Sequence, residues 1–434
     1  MKRNPLLPIF LIVVVDILGL TIMLPLLPFY AEHFGASAFV VGLLVSSYAA
    51  CSLVAGPLLG RISDRVGRKP VLLVSQAGTF VGFLLLAFAN SLWLVFVARI
   101  IDGLTAGNLS LAQAYIADVT EPKDRAKSFA IIGIAFGIGF LFGPALSGYL
   151  AHYSLHYPIF VAAGLSATSI VCTATLLPAS PPRPADLPVA AAPVAAPAAA
   201  APVATPAAAA TVAAPAVAEA SVEPAGRRLR LLDWGTYLQY FRRPVLAGLL
   251  WEFFCFCFSF STFTAGFALF AERRFGFGPK QVGYLFAYSG LLGIILQGGL
   301  IGRLVKRFGE VKLITAGFVA AAIGYSVLGF SATLAVLLVA ASFASFSNGV
   351  LRPALTSLIT QNVSRTEQGV VLGLTQSLLS IAQIIAPAIA GMLIDRGYLT
   401  AWALSAAAVA VVALFLNRKA RDARLVAHGP VPEP

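Results

Sequence analysis

Charge is scarce in this chain. Asp, Glu, Lys and Arg make up 11% of its 434 residues, against about a quarter in a soluble domain. With 59% hydrophobic residues and a mean hydropathy of +0.87, that shortage excludes an ordinary water-soluble fold, which could not hide so much apolar surface. Cysteine and histidine are scarce as well. Cys51, Cys172, Cys255 and Cys257 all fall in apolar stretches. Cys255 and Cys257, two apart, do not share a helix face, so neither a disulfide framework nor a metal centre is expected. His152 and His156 have the i, i+4 spacing of a metal pair, but they straddle a predicted helix end with no third ligand near, which reads as a polar outer loop. No nucleophile and base stand at usable spacing, and no GxxxxGK(S/T) phosphate loop occurs. The residues therefore point away from an enzyme, from ATP as the energy source and from any cofactor.

Long apolar runs take the place of these groups. Twelve runs are each long enough to cross a hydrocarbon core of about 30 Å. They cover approximately 6–30, 39–60, 70–89, 92–117, 126–150, 157–177, 244–270, 281–302, 312–330, 333–358, 368–393 and 399–417. The first is too long for a signal peptide and lacks a small-residue cleavage site, so it is expected to remain as span 1. The net charge of +12 would by itself suggest nucleic acid, but its distribution excludes that reading. With the N-terminus inside, 24 of the 30 Lys and Arg fall on one side: in the loops around Arg61–Lys69, Lys123–Lys127 and Arg303–Lys312, in the stretch from Arg183 to Arg243, at Arg365 and at both termini. The opposite side holds Arg273, Arg274, Lys280 and Arg396, while Arg99 and Arg352 lie inside spans. The positive-inside rule then places both termini in the cytoplasm and makes a lipid bilayer, not nucleic acid, the partner.

The spans repeat. GRISDRVGRKP at 60–70 returns as GRLVKRFGEVK at 302–312, with Gly60 on Gly302, Arg61 on Arg303, Arg65 on Arg307 and Gly67 on Gly309. Gly143, Pro144 and Gly148 likewise find partners at Ala386, Pro387 and Gly391, and DVTEPKDRA at 118–126 is echoed by NVSRTEQG at 362–369. Between the copies, the Ala/Pro-rich stretch to about residue 226 has no aromatic residues for a core and too much proline for a helix, the composition of a disordered linker. The expected organisation is an all-α membrane protein of twelve transmembrane helices in two pseudo-symmetric six-helix bundles, 1–177 and 244–417, joined by a cytoplasmic linker at 178–243 and followed by a tail at 418–434. A parallel repeat of this kind is one in which a substrate binds near the midplane, between the halves.

Four motifs give the chain a family resemblance. They are DILGLTIMLPLLP in span 1, GRISDRVGRKP between spans 2 and 3, RIIDG in span 4 and GIAFGIGFLFGPALSG in span 5. Together they resemble the twelve-helix drug:proton antiporters of the major facilitator superfamily, and specifically the tetracycline:proton antiporters and their multidrug relatives. The resemblance covers both halves but not the linker. It implies a multi-pass protein of the bacterial cytoplasmic membrane, working as a monomer, that exchanges protons for a small amphipathic organic compound by alternating access.

Each motif also has a physical reading. Asp16 lies about 15 Å into span 1 by helical rise, where an ionisable group is costly and a protonatable one facing a cavity is the usual reason to keep it. Arg99 and Asp102, i, i+3, lie on one face and can neutralise each other, either as structure or so that Arg99 tunes Asp102 or Asp16. In the loop motif of Gly60, Asp64, Arg65, Gly67 and Arg68, the resemblance implies that Asp64 caps the N-terminus of helix 11 and Arg68 pairs with Asp118. Those contacts would latch the halves on the cytoplasmic side and release on inward opening. Lys306 stands in place of Asp64, and Glu310 in place of Arg68, in the second copy, so the latch is one-sided. Gly133, Gly137, Gly143 and Gly148, with Pro144, allow close helix approach. In the family sense this motif favours an exporter over a symporter.

Outside the motifs, Glu252 is a second intramembrane acid, about 12 Å from the start of span 7. Trp251 and Phe254 are candidates for an aromatic pocket wall. Asn108, Gln113, Gln297, Asn348, Gln376 and Gln383 are better pocket candidates, because facing lipid would leave them unsatisfied. Gly82, Ala321 and Gly293 stand where the tetracycline exporters carry two aspartates and a histidine, so the resemblance does not extend to the groups that bear on metal-tetracycline binding. The leading expectation is proton-coupled efflux. The alternatives are a facilitator or proton symporter for a metabolite, and a non-transporting membrane receptor or scaffold.

Overall fold

A computed structural model describes residues 6–120, 125–178, 239–364 and 367–427, with side chains for most of these. The stretch read as a disordered linker, and the end of the predicted tail, lie outside the described residues. Fourteen α-helices are described: α1 Leu6–His33, α2 Ala38–Val66, α3 Arg68–Ala87, α4 Leu92–Leu104, α5 Asn108–Val119, α6 Arg125–Ala151, α7 His156–Leu176, α8 Pro244–Phe275, α9 Pro279–Ile295, α10 Ile301–Phe308, α11 Glu310–Gly329, α12 Leu334–Gln361, α13 Gln368–Asp395 and α14 Leu399–Ala427. They form 12 membrane-length spans. Phe88, Trp93, Phe330 and Phe415 are each about two-thirds exposed or more, and a water-soluble protein does not leave so many large side chains on its outside.

Two spans are not single helices. Span 4 breaks into α4 and α5 at Thr105–Gly107. Ser75 of α3 occupies the break, its hydroxyl donating to Thr105 O (2.5 Å) while accepting from Gly107 N–H (3.0 Å). Backbone groups freed inside a membrane need such a partner. Span 8 passes through a π-helical turn, Leu296–Leu300, between α9 and α10; its sequence LQGGL holds two glycines, which tolerate the looser winding.

The loop motif is shorter than its sequence suggests. Helix α2 continues through Gly60 to Val66, and the turn narrows to Gly67 at φ +103°. Its copy behaves identically, with α10 running to Phe308 and the turn at Gly309, φ +75°. Each glycine adopts a left-handed backbone that a side chain would strain, which accounts for the two positions matching in the repeat.

The six spans before residue 179 and the six after 238 meet along two seams. In one, α2 lies against α13; in the other, α6 lies against α9. Both are tight at the end remote from the linker. A Cβ on Gly42 or Gly391 would run into the backbone of Pro387 or Ala38, and one on Gly148 would lie 2.9 Å from Lys280 O. Both open towards the linker side: Gly56 and Gly60 of α2, Gly373 of α13, and Gly298 and Gly302 beyond α9 have no atom within 4 Å of such a Cβ. The two sets of spans therefore splay apart on the linker side and close on the far side.

Candidate functional site

Asp16 projects from α1 among α3 and α7, with Ser169 and Gln76 as its polar neighbours. Gln76 is held in turn, its Nε2 donating to Ser169 Oγ at 2.8 Å. The acid borders a cavity of about 20 Å³ lined also by Gly19, Thr79, Phe83 and Asn108, room for about one water molecule. Thr79 lines this cavity and also neighbours the second acid, Asp102. Arg99 Nη1 donates to Asp102 Oδ2 at 2.7 Å, both residues being 7% exposed. The guanidinium also lies over the Tyr48 ring at 4.3 Å. Arg99 is thus committed to Asp102, and the groups contacting Asp16 are uncharged.

Glu252 lies elsewhere. It is fully buried, and its Oε2 accepts from Asn417 Nδ2 at 2.9 Å. Asn417 Oδ1 accepts from Thr315 at 3.0 Å. This network ties α8 to α14 and α11, away from both seams. On another face of α8, Trp251, Phe254 and Phe258 form a ladder, edge-on at the first step and tilted at the second, with ring centroids 5.9 Å apart at each. Trp251 also meets Phe241 and is half-exposed.

The loop motif forms one of its two expected contacts. Arg68, 3% exposed, donates from Nε to Asp118 Oδ2 at 2.9 Å. Asp64 does not cap the N-terminus of span 11: it pairs with Arg68 Nη2 at 2.5 Å, four residues along. The reason is the splay, which carries α2 away from the start of α13 on this side. Just before that start lies Glu367, whose Oε2 accepts from Ser364 N–H at 3.1 Å and whose Oε1 accepts from Arg243 at 2.7 Å. Arg65 is exposed, and Lys69 donates to Leu177 O at 2.7 Å, capping the end of α7. The second copy keeps the clasp with altered chemistry. Glu310, aligned with Arg68, accepts from Ser357 at 2.5 Å and from Gln361 at 3.2 Å, and Gln361 immediately precedes Asn362, on which the repeat places Asp118.

The Arg243 guanidinium holds the Glu367 carboxyl down at about 2, helped by Ser364. A depressed carboxyl stabilises the fold above its ordinary range near 4.5 and loses that contribution as pH falls towards 2. The pair is exposed, so the effect is small. Thermal unfolding in detergent between pH 5 and 3 is expected to show a shallow loss of stability that Glu367→Gln lacks.

The glycine motif of α6 serves two neighbours. Gly139 and Gly143 face α1, where Thr21 Oγ1 donates to Gly139 O at 2.8 Å. Gly137, Pro144 and Gly148 face α9 across the seam, and Gly133 is buried. Of the polar pocket candidates, Asn108 Oδ1, both amide atoms of Gln113 and Gln376 Oε1 are enclosed without a hydrogen-bond partner. Gln297 lies in the π-helical turn, and Asn348 and Gln383 are half-buried.

Sequence reading missed the far-side closure. Asp395, at the end of α13, caps α2: Ala38 N–H and Phe39 N–H donate to its two oxygens at 2.7 and 2.8 Å. An anion at a helix N-terminus is favoured there. Arg273 completes the junction, 3.5 Å from Glu32 and 3.7 Å from Asp395. The available signal was a set of charges at predicted span ends on the side otherwise poor in charge.

Twelve spans in two six-span sets, seamed by α2 with α13 and α6 with α9 around buried polar groups, are the architecture of a two-bundle membrane transporter. The chain belongs to the Major Facilitator Superfamily, whose family model matches residues 9–310 and 296–433. It is 30% identical to the class C tetracycline resistance protein of Escherichia coli, over 89% of either chain. It is 25% identical to multidrug resistance protein 2 of Bacillus subtilis, over 88% of this chain and 86% of that one. In fold it is similar to a bacterial homologue of the human lysosomal transporter Spinster in an inward-facing, unoccupied conformation, with TM-score 0.73, 15% identity and all of both chains covered.

Proposed function

We propose that this transporter is a proton-coupled exporter of a small amphipathic organic compound, seated in a bacterial cytoplasmic membrane with both termini and the linker in the cytoplasm. The observation that carries the reading is Asp16: an intramembrane acid beside a cavity, with uncharged polar neighbours and with the Asp102–Arg99 pair beyond Thr79 of the cavity wall. A carboxyl so placed is a proton carrier by default. In the outward state it takes a proton; the loaded carrier turns inward, releases the proton and binds substrate. The described form, shut on the far side and splayed on the linker side, is the one that receives substrate from the cytoplasm. In the outward form Asp64 would exchange Arg68 for the N-terminus of α13, while the Asp395 cap on α2 would break. The two helix caps are thus alternative latches on opposite sides.

The glycine face that α6 presents to α9 supports export rather than uptake, in the family sense. The relatives' names also fit: drug resistance is a property of efflux. The test is transport by the purified protein in liposomes with an imposed pH gradient, using ethidium and tetracycline as probes. Export predicts movement of a probe against the proton flow, abolished by nigericin. Movement of small metabolites with the proton flow, or movement insensitive to the gradient, would instead establish a symporter or facilitator.

A further inference from the structure

Among the described residues, one intramembrane cation has no ion-pair or hydrogen-bond partner. Arg352 lies in α12, about 13 Å short of Gln361 by helical rise, and is half-buried. Its Nη2 is fully enclosed without a hydrogen bond, and none of its nitrogens comes within ion-pair distance of a described carboxylate. Arg99, in the corresponding span of the first half, has Asp102. The titratable neighbour acting on Arg352 is the Cys257 thiol of α8, neutral at physiological pH. An unpaired guanidinium inside a membrane protein is expensive and is kept for a ligand or a pathway.

The surroundings give that ligand a shape. Ser345, Asn348 and Arg352 lie within about 60° of one another around α12, opposite the exposed Val336 and Phe343. The polar stripe therefore faces the bundle interior. Ser345 Oγ is buried without a partner. Cys257 is three residues from Phe254, so the aromatic ladder of α8 starts one row from the guanidinium. A cation, two neutral polar groups and an aromatic wall suit an aromatic acid.

We propose that Arg352 is the counter-ion for a carboxylate or sulfonate on the transported compound, which makes amphipathic aromatic anions the preferred substrate class. This rests on the transport reading above. The site offers a bidentate fork to a planar carboxylate, and Asn348, four residues away, can donate to the same group.

The test is equilibrium binding to the full chain in nanodiscs, with naphthoate and its uncharged amide, naphthamide, as probes. Wild type is expected to bind naphthoate about tenfold or more tighter than naphthamide. Arg352→Gln should erase that preference and Arg352→Lys should retain part of it. Cys257→Asp, which supplies an internal carboxylate, should also erase it and covers the case in which Arg352→Gln does not fold. Equal affinities in wild type, or a preference that survives Arg352→Gln, would overturn the proposal. So would a preference present in phosphatidylcholine discs and lost in phosphatidylglycerol discs, since a lipid headgroup would then be the occupant. Binding needs no gradient. Preference without proton-driven export would sink only the coupling reading, and export of ethidium without a preference for naphthoate would sink only this site.

Discussion

Gly283→Val is expected to abolish uphill transport and to raise labelling of the far side by an impermeant maleimide, read from a single reporter cysteine introduced at Phe39. A Cβ at Gly283 would lie 2.5 Å from Pro144 O and 2.8 Å from Gly148 Cα. Both obstacles are backbone in the last two turns of α6, so neither can rotate away. Relief requires α6 and α9 to part, and overpacking of this kind costs about 1–3 kcal/mol. Two transport conformations differ by only a few kcal/mol. A burden carried by one and not the other therefore moves the population, and the far-side-closed form is the one that bears it. Gly298→Val is the control, because no atom lies within 4 Å of its Cβ. If Gly283→Val transports at the wild-type rate, the α6–α9 seam is not part of the cycle.

That seam also marks how far sequence reading reached. The twelve spans were legible because hydropathy over a membrane-length window reports the solvent of each residue, whatever its neighbours. Arg99 with Asp102 was legible because i, i+3 spacing fixes proximity within one helix. The pairing of Arg68 with Asp118 followed from family resemblance. The break at Thr105–Gly107 was not legible: it depends on a serine of α3, thirty residues away, replacing the lost backbone bonds. The expectation for Asp64 was tied to a conformation. Its cap on helix 11 belongs to a form closed on the linker side, and in the splayed form the nearest cation, Arg68, takes the carboxylate. Asp395 stood among four cations and few acids at span ends, with nothing in its own segment to separate a helix cap from a surface charge. Contacts across a seam depend on which state is present, and one sequence encodes both states.

Asp16→Asn is expected to reduce gradient-driven accumulation to the level of protein-free vesicles while leaving downhill exchange of probe. The amide matches the carboxyl in size, and Ser169 and Gln76 can each present a donor or an acceptor to it, so the packing of α1 against α3 and α7 should survive. What the variant lacks is a proton to give up. Transport then becomes independent of the gradient, not slower at every condition, and that difference separates a coupling residue from a structural one. Asp16→Glu keeps the proton and should retain part of the uphill rate, limited by fitting one more methylene beside a cavity of about 20 Å³. Glu252→Gln is the contrasting case. Its network with Asn417 and Thr315 spans α8, α11 and α14, remote from the seams that must open and close, so its loss is expected to lower thermal stability and leave gradient dependence intact. Should Glu252→Gln uncouple transport while Asp16→Asn does not, the proton path runs through the second half of the molecule and the assignment made from span 1 is wrong.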